Sequence, residues 1–216
     1  MTDAPTVNLW SESDHVQGYL DRRRSFPWRE VAYEHLMEHV PAGVGRVLDL
    51  GCGDGEVVGR VVAASPSVEA VACDFSPAML ERVRERFAGS STVTIVEHDL
   101  DNSLPAEWGD FDAIMSAFAI HHVDDDRKRA LYGEVLDHLA PGGVFCNLEH
   151  VASPTPELHE AFLTSIGQTI EQDDPSNKLA PVETQLGWLR GLGFAQVDCH
   201  YKWREIALLA GVKPTS

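Results

Sequence analysis

A glycine-rich segment at residues 47–55, VLDLGCGDG, constrains the fold of this 216-residue chain more than any other stretch. Val47, Leu48 and Leu50 predict a short buried strand, and glycines follow at positions 51, 53 and 55. Glycine permits a sharp turn and lets the backbone approach a ligand that a Cβ atom would obstruct. The helix predicted next would point its first amides at a negative group, such as a carboxylate or a phosphate. The segment therefore predicts a loop that binds a nucleotide-type ligand.

The residues around these glycines bear on which nucleotide is bound. The dinucleotide fingerprint G-x-G-x-x-G would place a third glycine at position 56, where this chain has Glu56. The pattern here is D-x-G-x-G-x-G, with Asp49 two residues before Gly51, and it resembles motif I of the class I S-adenosylmethionine (SAM)-dependent methyltransferases. SAM has no phosphate and tolerates acidic surroundings that a pyrophosphate would not. A tight strand-to-helix turn without a ligand is the alternative.

Further motifs follow in the order that this resemblance implies. Residues 111–123 read F-D-x-I-x-S-x-x-x-I-H-H-V, and L-x-P-G-G occurs at residues 139–143 after a helix predicted over 126–139. Together with the glycine loop, these motifs cover residues 47–149, nearly half of the chain. The chain thus resembles class I methyltransferases that act on small molecules, which implies SAM as cofactor.

Strands alternate with helices along the chain, which predicts an α/β fold with a parallel sheet covered by helices on both faces. The resemblance implies a Rossmann-like, mostly parallel seven-stranded sheet with an antiparallel last strand. We expect a single domain over residues 1–216, with an N-terminal helical cap at 1–43 and a helical insertion at 154–181 that caps the substrate. Four apolar residues of the insertion would share one helix face: Leu158, Phe162, Ile166 and Ile170.

Polar residues or glycines stand at five predicted strand ends, where ligands of such sheets bind. These residues are Gly51, Asp74, Asp99, Ser116 and Glu149. A carboxylate at Asp74 would accept hydrogen bonds from the ribose hydroxyls, an argument that serves NAD and SAM equally. The resemblance implies that Asp99 binds the adenine amino group while Leu100 packs on the ring, although Asp99 is equally consistent with an exposed loop acid.

Other cofactor contacts are expected near the same edge of the sheet. The resemblance implies that Asp49, Gly51 and Gly53 shape the pocket for the methionine end, with Ser116 near that end and His121 beside the transferred methyl. The remaining candidate contacts are Tyr19, Cys52, Phe75 and Met79. In one interpretation, Arg23 and Trp28 of the N-terminal segment also face the ligand. For Trp28, the favoured interpretation is that its side chain packs against the sheet.

His121, His122 and Glu149 are the candidate catalytic residues because they follow the fourth and fifth strands. A neutral imidazole can act as a general base near neutral pH. Adjacent histidines point in different directions, so at most one would face the methyl group. The resemblance also offers a role for the first histidine in which it lines the cofactor pocket without taking part in the chemistry. The methyl of SAM is already activated, so the protein mainly aligns the reactants. A base is needed only when the nucleophile carries a proton.

Composition limits the partners of the chain. With 34 acidic and 17 basic residues its net charge is −17, which disfavours a nucleic-acid partner and favours a small-molecule acceptor. The ten histidines lack the spacing of a zinc site, and no metal is predicted. The four cysteines contain no C-x-x-C pair. Without a signal peptide or an apolar run of about 18 residues, we expect a cytoplasmic protein, away from the membrane, as a monomer or homodimer.

Three alternatives remain open. The segment YKWR at residues 201–204 is similar to carboxy-SAM synthases, in which Lys202 or Arg204 would bind the extra carboxylate. A non-catalytic protein of the same fold that binds a partner is the second alternative. The third is an NAD-dependent oxidoreductase, which Glu56 disfavours.

Overall fold

The structure is a computed structural model that describes residues 26–215, so the predicted contacts of Tyr19 and Arg23 lie outside the described residues. The strands are β1 (Arg46–Leu50), β2 (Glu69–Asp74), β3 (Val93–Glu97), β4 (Phe111–Ala117), β5 (Leu139–His150), β6 (Ala195–Trp203) and β7 (Ile206–Val212). The α-helices are α1 (Pro27–Glu38), α2 (Glu56–Ala64), α3 (Pro77–Arg86), α4 (Asp125–His138), α5 (Pro156–Ser165) and α6 (Val182–Leu192). Short 3₁₀ turns occur at Ala106–Trp108, Ile120–His122 and Ile170–Gln172.

The seven strands form one sheet in the order β3-β2-β1-β4-β5-β7-β6. β1 pairs in parallel with β2 and β4, and the parallel pairing continues from β2 to β3 and from β4 to β5. β7 lies antiparallel between β5 and β6. The predicted mostly parallel sheet with an antiparallel last strand is confirmed. The strand order reverses between β1 and β4, so the carboxyl ends of these two strands flank the place where a ligand is expected.

Two buried apolar clusters cover the two faces of the sheet. On one face, Val47 of β1 belongs to the same cluster as Val58 of α2 and Leu80 of α3. On the other face, Leu48 belongs to a cluster with Leu131 of α4. Neighbouring residues of β1 thus point to opposite faces, as the twofold period of a strand requires. Because both faces are buried, β1 carries apolar residues on both of them.

Local sequence signals set several helix bounds. Ser76 occupies the N-cap position of α3 and Pro77 is its first residue, as predicted from the serine–proline pair. Gly55 precedes α2 with a φ of 79°, and Gly193 ends α6 with a φ of 106°. Both values lie in the left-handed region that favours glycine. Within residues 26–215, no helix combines the length and the apolarity needed to cross a membrane.

The insertion at 154–181 is less helical than predicted. α5 ends at Ser165, because Gly167 follows with a φ of 74° and turns the chain. The predicted apolar face is therefore wrong: Phe162 is buried, whereas Leu158 and Ile170 are about half exposed. The remainder of the insertion is a 3₁₀ turn and an irregular loop. α4 begins and ends one residue earlier than predicted, which is within the usual spread of helix ends.

A buried polar group joins α4, β5 and α6. The hydroxyl of Tyr132 donates to Gln185 Oε1 at 2.6 Å and accepts from Asn147 Nδ2 at 3.0 Å. Gln185 Nε2 donates to the carbonyl of Ala180 at 2.9 Å, at the end of the insertion. These three side chains are wholly buried. The tyrosine hydroxyl therefore pairs with one polar atom of each of two buried amide groups.

Replacing Tyr132 by phenylalanine should lower the free energy of unfolding by about 1–3 kcal/mol, because both amide partners would stay buried without the hydroxyl. Urea denaturation measures this change. Tyr201→Phe on β6 is the control, since Tyr201 is only partly buried, and it should change stability by less than about 0.5 kcal/mol. Equal effects of the two substitutions would contradict the role given to the Tyr132 hydroxyl.

Candidate functional site

A cavity of about 360 Å³ opens at the carboxyl edge of the sheet. Its wall combines the ends of β1, β2 and β3, the turn after β4, α1 and the loop that precedes α6. A cavity of this size falls in the range of organic ligand sites. Six carboxylates line it, from Asp49, Asp54, Glu56, Asp74, Asp99 and Asp101. The cavity lies where the sequence predicted the ligand.

The glycine loop forms the floor of the cavity. Gly51 and Gly53 have φ values of 66° and 55°, in the left-handed region. A Cβ atom on Gly51 would lie 2.2 Å from the Cβ of Ala119, in the turn after β4. Real Cβ atoms do not approach one another so closely, so glycine is required at position 51. The side chain of Cys52, also in the cavity wall, is almost wholly buried, which raises its pKa and argues against a nucleophilic thiolate.

Asp49 is a buried carboxylate in the cavity wall, 1 % exposed. Its Oδ2 accepts from the backbone N–H of Val58 in the first turn of α2 at 3.1 Å. Its Oδ1 is buried and has no hydrogen-bond partner among residues 26–215. Burial raises the pKa of Asp49 to about 7. A cationic group in the cavity would satisfy the second oxygen and favour the ionised carboxylate.

Asp74 closes the glycine loop from the end of β2. Its Oδ2 accepts from Gly53 N and its Oδ1 from Ser76 N, both at 2.8 Å. Burial raises the pKa of Asp74, and these backbone N–H groups oppose the increase. A carboxylate has about four lone-pair directions, so the Asp74 carboxylate can still accept a hydrogen bond from a ligand hydroxyl. Phe75 and Met79, which follow in the chain, also line the cavity.

The end of β3 forms another part of the cavity wall. Asp99 and Leu100 both line the cavity, and the Leu100 side chain is buried. Asp99 Oδ1 accepts from Asp101 N at 3.0 Å, which fixes the carboxylate in the turn. His98 also lines the cavity and contacts the ring of Trp108 with centroids 5.1 Å apart. An apolar side chain beside a carboxylate suits a flat base that carries an amino group.

His122 lines the cavity, whereas His121 and Glu149 lie behind it. His121 Nδ1 is 2.5 Å from Glu149 Oε1, and the rings of His121 and His122 are 4.0 Å apart. Burial lowers the pKa of both histidines, and it raises the pKa of Glu149 to about 7. His121 is therefore neutral at neutral pH, and its Nδ1 shares a short hydrogen bond with Glu149. Glu149 Oε2 is buried without a hydrogen-bond partner in the described part of the chain.

Nine of the predicted cofactor residues line the cavity: Asp49, Gly51, Cys52, Gly53, Asp74, Phe75, Met79, Asp99 and Leu100. Ser116 does not, because its side chain points into the protein and donates to the carbonyl of Leu50 at 2.8 Å. Trp28, for which packing was favoured, stacks on Trp203 with centroids 5.5 Å apart and is not part of the wall.

Several wall residues were missed by the sequence reasoning: Arg29, Tyr33, Phe118, Ser176 and Lys178. Phe118 has a φ of 58°, in the left-handed region, and no sequence signal announces it. Lys202 and Arg204, the candidates for binding an extra carboxylate, do not line the cavity. Lys202 Nζ instead donates to the carbonyl of Arg204. Among residues 26–215, no group of three or more His, Cys, Asp or Glu side chains is placed to hold a metal ion.

Comparison with known proteins defines the class. A family model described as a methyltransferase domain matches residues 47–143. Together with the fold and with the relative in the next sentence, this match shows that the chain belongs to the class I SAM-dependent methyltransferases. The demethylmenaquinone methyltransferase of Clavibacter sepedonicus is 32% identical over 190 residues, which span 81% of this chain and 76% of the relative.

Solved structures agree with the fold. An O-methyltransferase family protein from Burkholderia thailandensis superposes with a TM-score of 0.73 and 21% identity, covering 95% of this chain and 61% of that one. Human N-acetylserotonin methyltransferase, solved in complex with SAM, gives a TM-score of 0.68 and 15% identity, covering 96% and 58%. This chain thus spans about three fifths of the length of both structures.

The cofactor is SAM, which decides between the two nucleotides that the glycine loop left open. The residues present fit it. Oδ1 of Asp49, which has no hydrogen-bond partner among residues 26–215, suits a cation. Asp74 can accept from hydroxyls, and the floor at Gly51 leaves no room for a Cβ atom. A cavity lined by carboxylates also matches a cofactor without phosphate.

Gly51→Ala should weaken SAM binding by more than about 10-fold and destabilise the fold, because the new Cβ would collide with Ala119 in a left-handed backbone conformation. Calorimetric titration with SAM measures the affinity. Gly187→Ala on the exposed side of α6 is the control: nothing lies within 4 Å of its Cβ position, and stability should rise by about 0.5–1 kcal/mol. Unchanged SAM affinity in Gly51→Ala would show that the loop does not contact the cofactor.

Because of Asp49, the free energy of unfolding should fall as pH rises. Its folded pKa, about 7, exceeds the usual aspartate value of 3.8, so the folded state binds more protons between these values. The stabilisation is complete below about pH 4 and is lost as pH rises through about 7. It amounts to on the order of 4 kcal/mol. Asp49→Asn should flatten this slope in denaturation curves recorded across the range. A slope identical to that of the wild type would show that Asp49 titrates normally in the folded protein.

Proposed function

We propose that the protein transfers the methyl group of SAM to a small organic acceptor whose reacting atom gives up a proton. The observation that carries this proposal is the histidine–glutamate group at the cavity: His122 in the wall, with the His121–Glu149 pair directly behind it. A base beside the cavity has a purpose only if the acceptor carries a proton to be removed. The name of the C. sepedonicus relative, a demethylmenaquinone methyltransferase, supports a hydroxylated aromatic acceptor such as a quinol.

Three parts of the wall are proposed to hold the cofactor. Asp49 would bind the amino group of the methionine end, Asp74 the ribose hydroxyls, and Asp99 with Leu100 the adenine. When bound, SAM supplies a methyl group on a cationic sulfur. The chain's own task is then to hold the acceptor atom in line and to exclude water.

His122 is proposed to take the acceptor's proton. It is neutral at neutral pH, since burial and the neighbouring His121 lower its pKa. The carboxylates of Asp174 and Glu149 act in the opposite direction and would stabilise the imidazolium once the proton has moved. Glu149 does so only when it is ionised. His121 is proposed to hold Glu149 in place through the 2.5 Å hydrogen bond.

The test offers SAM with naphthohydroquinone, catechol and an aliphatic amine to the protein, and mass spectrometry detects an acceptor heavier by one methylene unit. At saturating SAM, kcat should rise with pH through about 7, because Glu149 ionises there. Glu149→Gln should remove this rise of kcat with pH and lower kcat by about 10-fold or more.

Glu205→Gln is the matched control. Glu205 is also buried, but it does not line the cavity, and hydrogen bonds from His150, Ser153 and His159 hold its pKa below the usual range. In Glu205→Gln, kcat should therefore still rise with pH through about 7. The proposed class of acceptor would be overturned if the amine were the only acceptor methylated and the rise of kcat with pH did not depend on Glu149.

A further inference from the structure

The loop that precedes α6 contacts both histidines of the turn after β4. Lys178 N donates to the carbonyl of His121 at 2.8 Å. Ser176 Oγ lies 3.0 Å from Nδ1 of His122. Ser176 and Lys178 are themselves part of the cavity wall, together with Pro175. Loop residues 174–178 therefore hold the proposed base from one side.

The hydrogen bonds of Ser176 determine which nitrogen of His122 carries the proton. The hydroxyl of Ser176 donates to Asp174 Oδ1 at 2.7 Å, and Ser176 N donates to the same oxygen at 2.9 Å. A serine hydroxyl has a single hydrogen, so its oxygen can only accept from His122. Nδ1 of His122 is thus the donor, and the lone pair of the neutral ring lies on Nε2.

A buried lysine holds the same loop. Lys128 of α4 is wholly buried, and its ammonium donates to the carbonyl of Lys178 at 2.5 Å, to the carbonyl of Val123 at 2.7 Å and to Asp125 Oδ1 at 2.9 Å. Three acceptors match the three hydrogens of an ammonium group. The carbonyl of Lys178 belongs to the loop, and the carbonyl of Val123 belongs to the residue that follows His122. Lys128 therefore fixes the loop and the histidine turn relative to each other.

We propose that loop residues 174–178, held by Lys128, set the tautomer of His122 and so leave the basic lone pair of the neutral ring on Nε2. Asp174 orients Ser176, Ser176 accepts from Nδ1, and Lys128 keeps both at the right place. All three are positioning residues, and none needs to touch the reacting atoms. The inference rests on the proposed function, because the tautomer matters for the reaction only if His122 acts as the base.

The first experiment reads the tautomer directly. Nitrogen NMR of protein with isotope-labelled histidine identifies His122 by the signal lost in His122→Asn. The wild type should show the Nδ1–H form, and Ser176→Ala should shift it toward Nε2–H, as should Lys128→Met. The matched controls are Ser165→Ala, whose hydroxyl donates to Phe162, and Lys213→Met, whose ammonium donates to Asp137. Neither control should change the signal.

Two results would overturn the inference: an Nε2–H form in the wild type, or an unchanged tautomer in folded Ser176→Ala. If Lys128→Met does not fold, Lys128→Gln, which keeps two donor hydrogens, should give a partial shift. An unshifted tautomer in a folded Lys128 variant would remove Lys128 from the mechanism.

The second experiment measures turnover with the acceptor that the wild type methylates in the panel above. Ser176→Ala and Lys128→Met should each lower kcat by about 100-fold while the KM for SAM stays the same. The double variant should be no slower than the slower single variant, because both changes act on one contact. Additive effects would show that Lys128 acts elsewhere. A wild type that methylates nothing would overturn the proposed function, whereas the NMR result would stand by itself.

Discussion

Two hydrogen bonds from backbone amides to buried carboxylates hold the ligand loop in shape. Asp74 accepts from Gly53 N, and Asp49 accepts from Val58 N in the first turn of α2. The loop needs such restraint because its glycines leave the backbone few intrinsic preferences. Burying the carboxylates is costly, as their raised pKa values show. The folded protein therefore carries a local electrostatic cost that a bound cation would offset.

The sequence was informative wherever a residue's role depended on its near neighbours. Asp49, the glycines and Asp74 stand at strand ends that the apolar pattern alone located, and the parallel pairing of β1 with β2 brings them to one edge. The same argument placed Asp99 correctly in the cavity wall. The fold followed from the alternation of strands and helices, with the antiparallel β7 supplied by resemblance.

Residues whose roles depend on distant contacts were beyond the reach of the sequence. Ser116 stands at the end of a strand, as predicted, but its register opposite Leu50 turns its hydroxyl inward. The contact between Ser176 and His122 spans 54 positions, and no pattern announces it. The bond from Lys128 to Lys178 spans 50 positions and was likewise invisible. Lys128 shares the buried face of α4 with Leu131, Tyr132 and Val135, but its position in the sequence does not say which groups its ammonium contacts.

The carboxylates that line the cavity have a consequence for the release of the product. Six of them line the cavity, while Arg29 and Lys178 are the only arginine and lysine in the described part of the wall. Loss of the methyl group turns a cationic sulfur into a neutral thioether, so part of the electrostatic attraction disappears with the reaction itself. In electrostatic terms the carboxylates therefore favour the charged cofactor over the neutral product, and dissolved salt screens that preference.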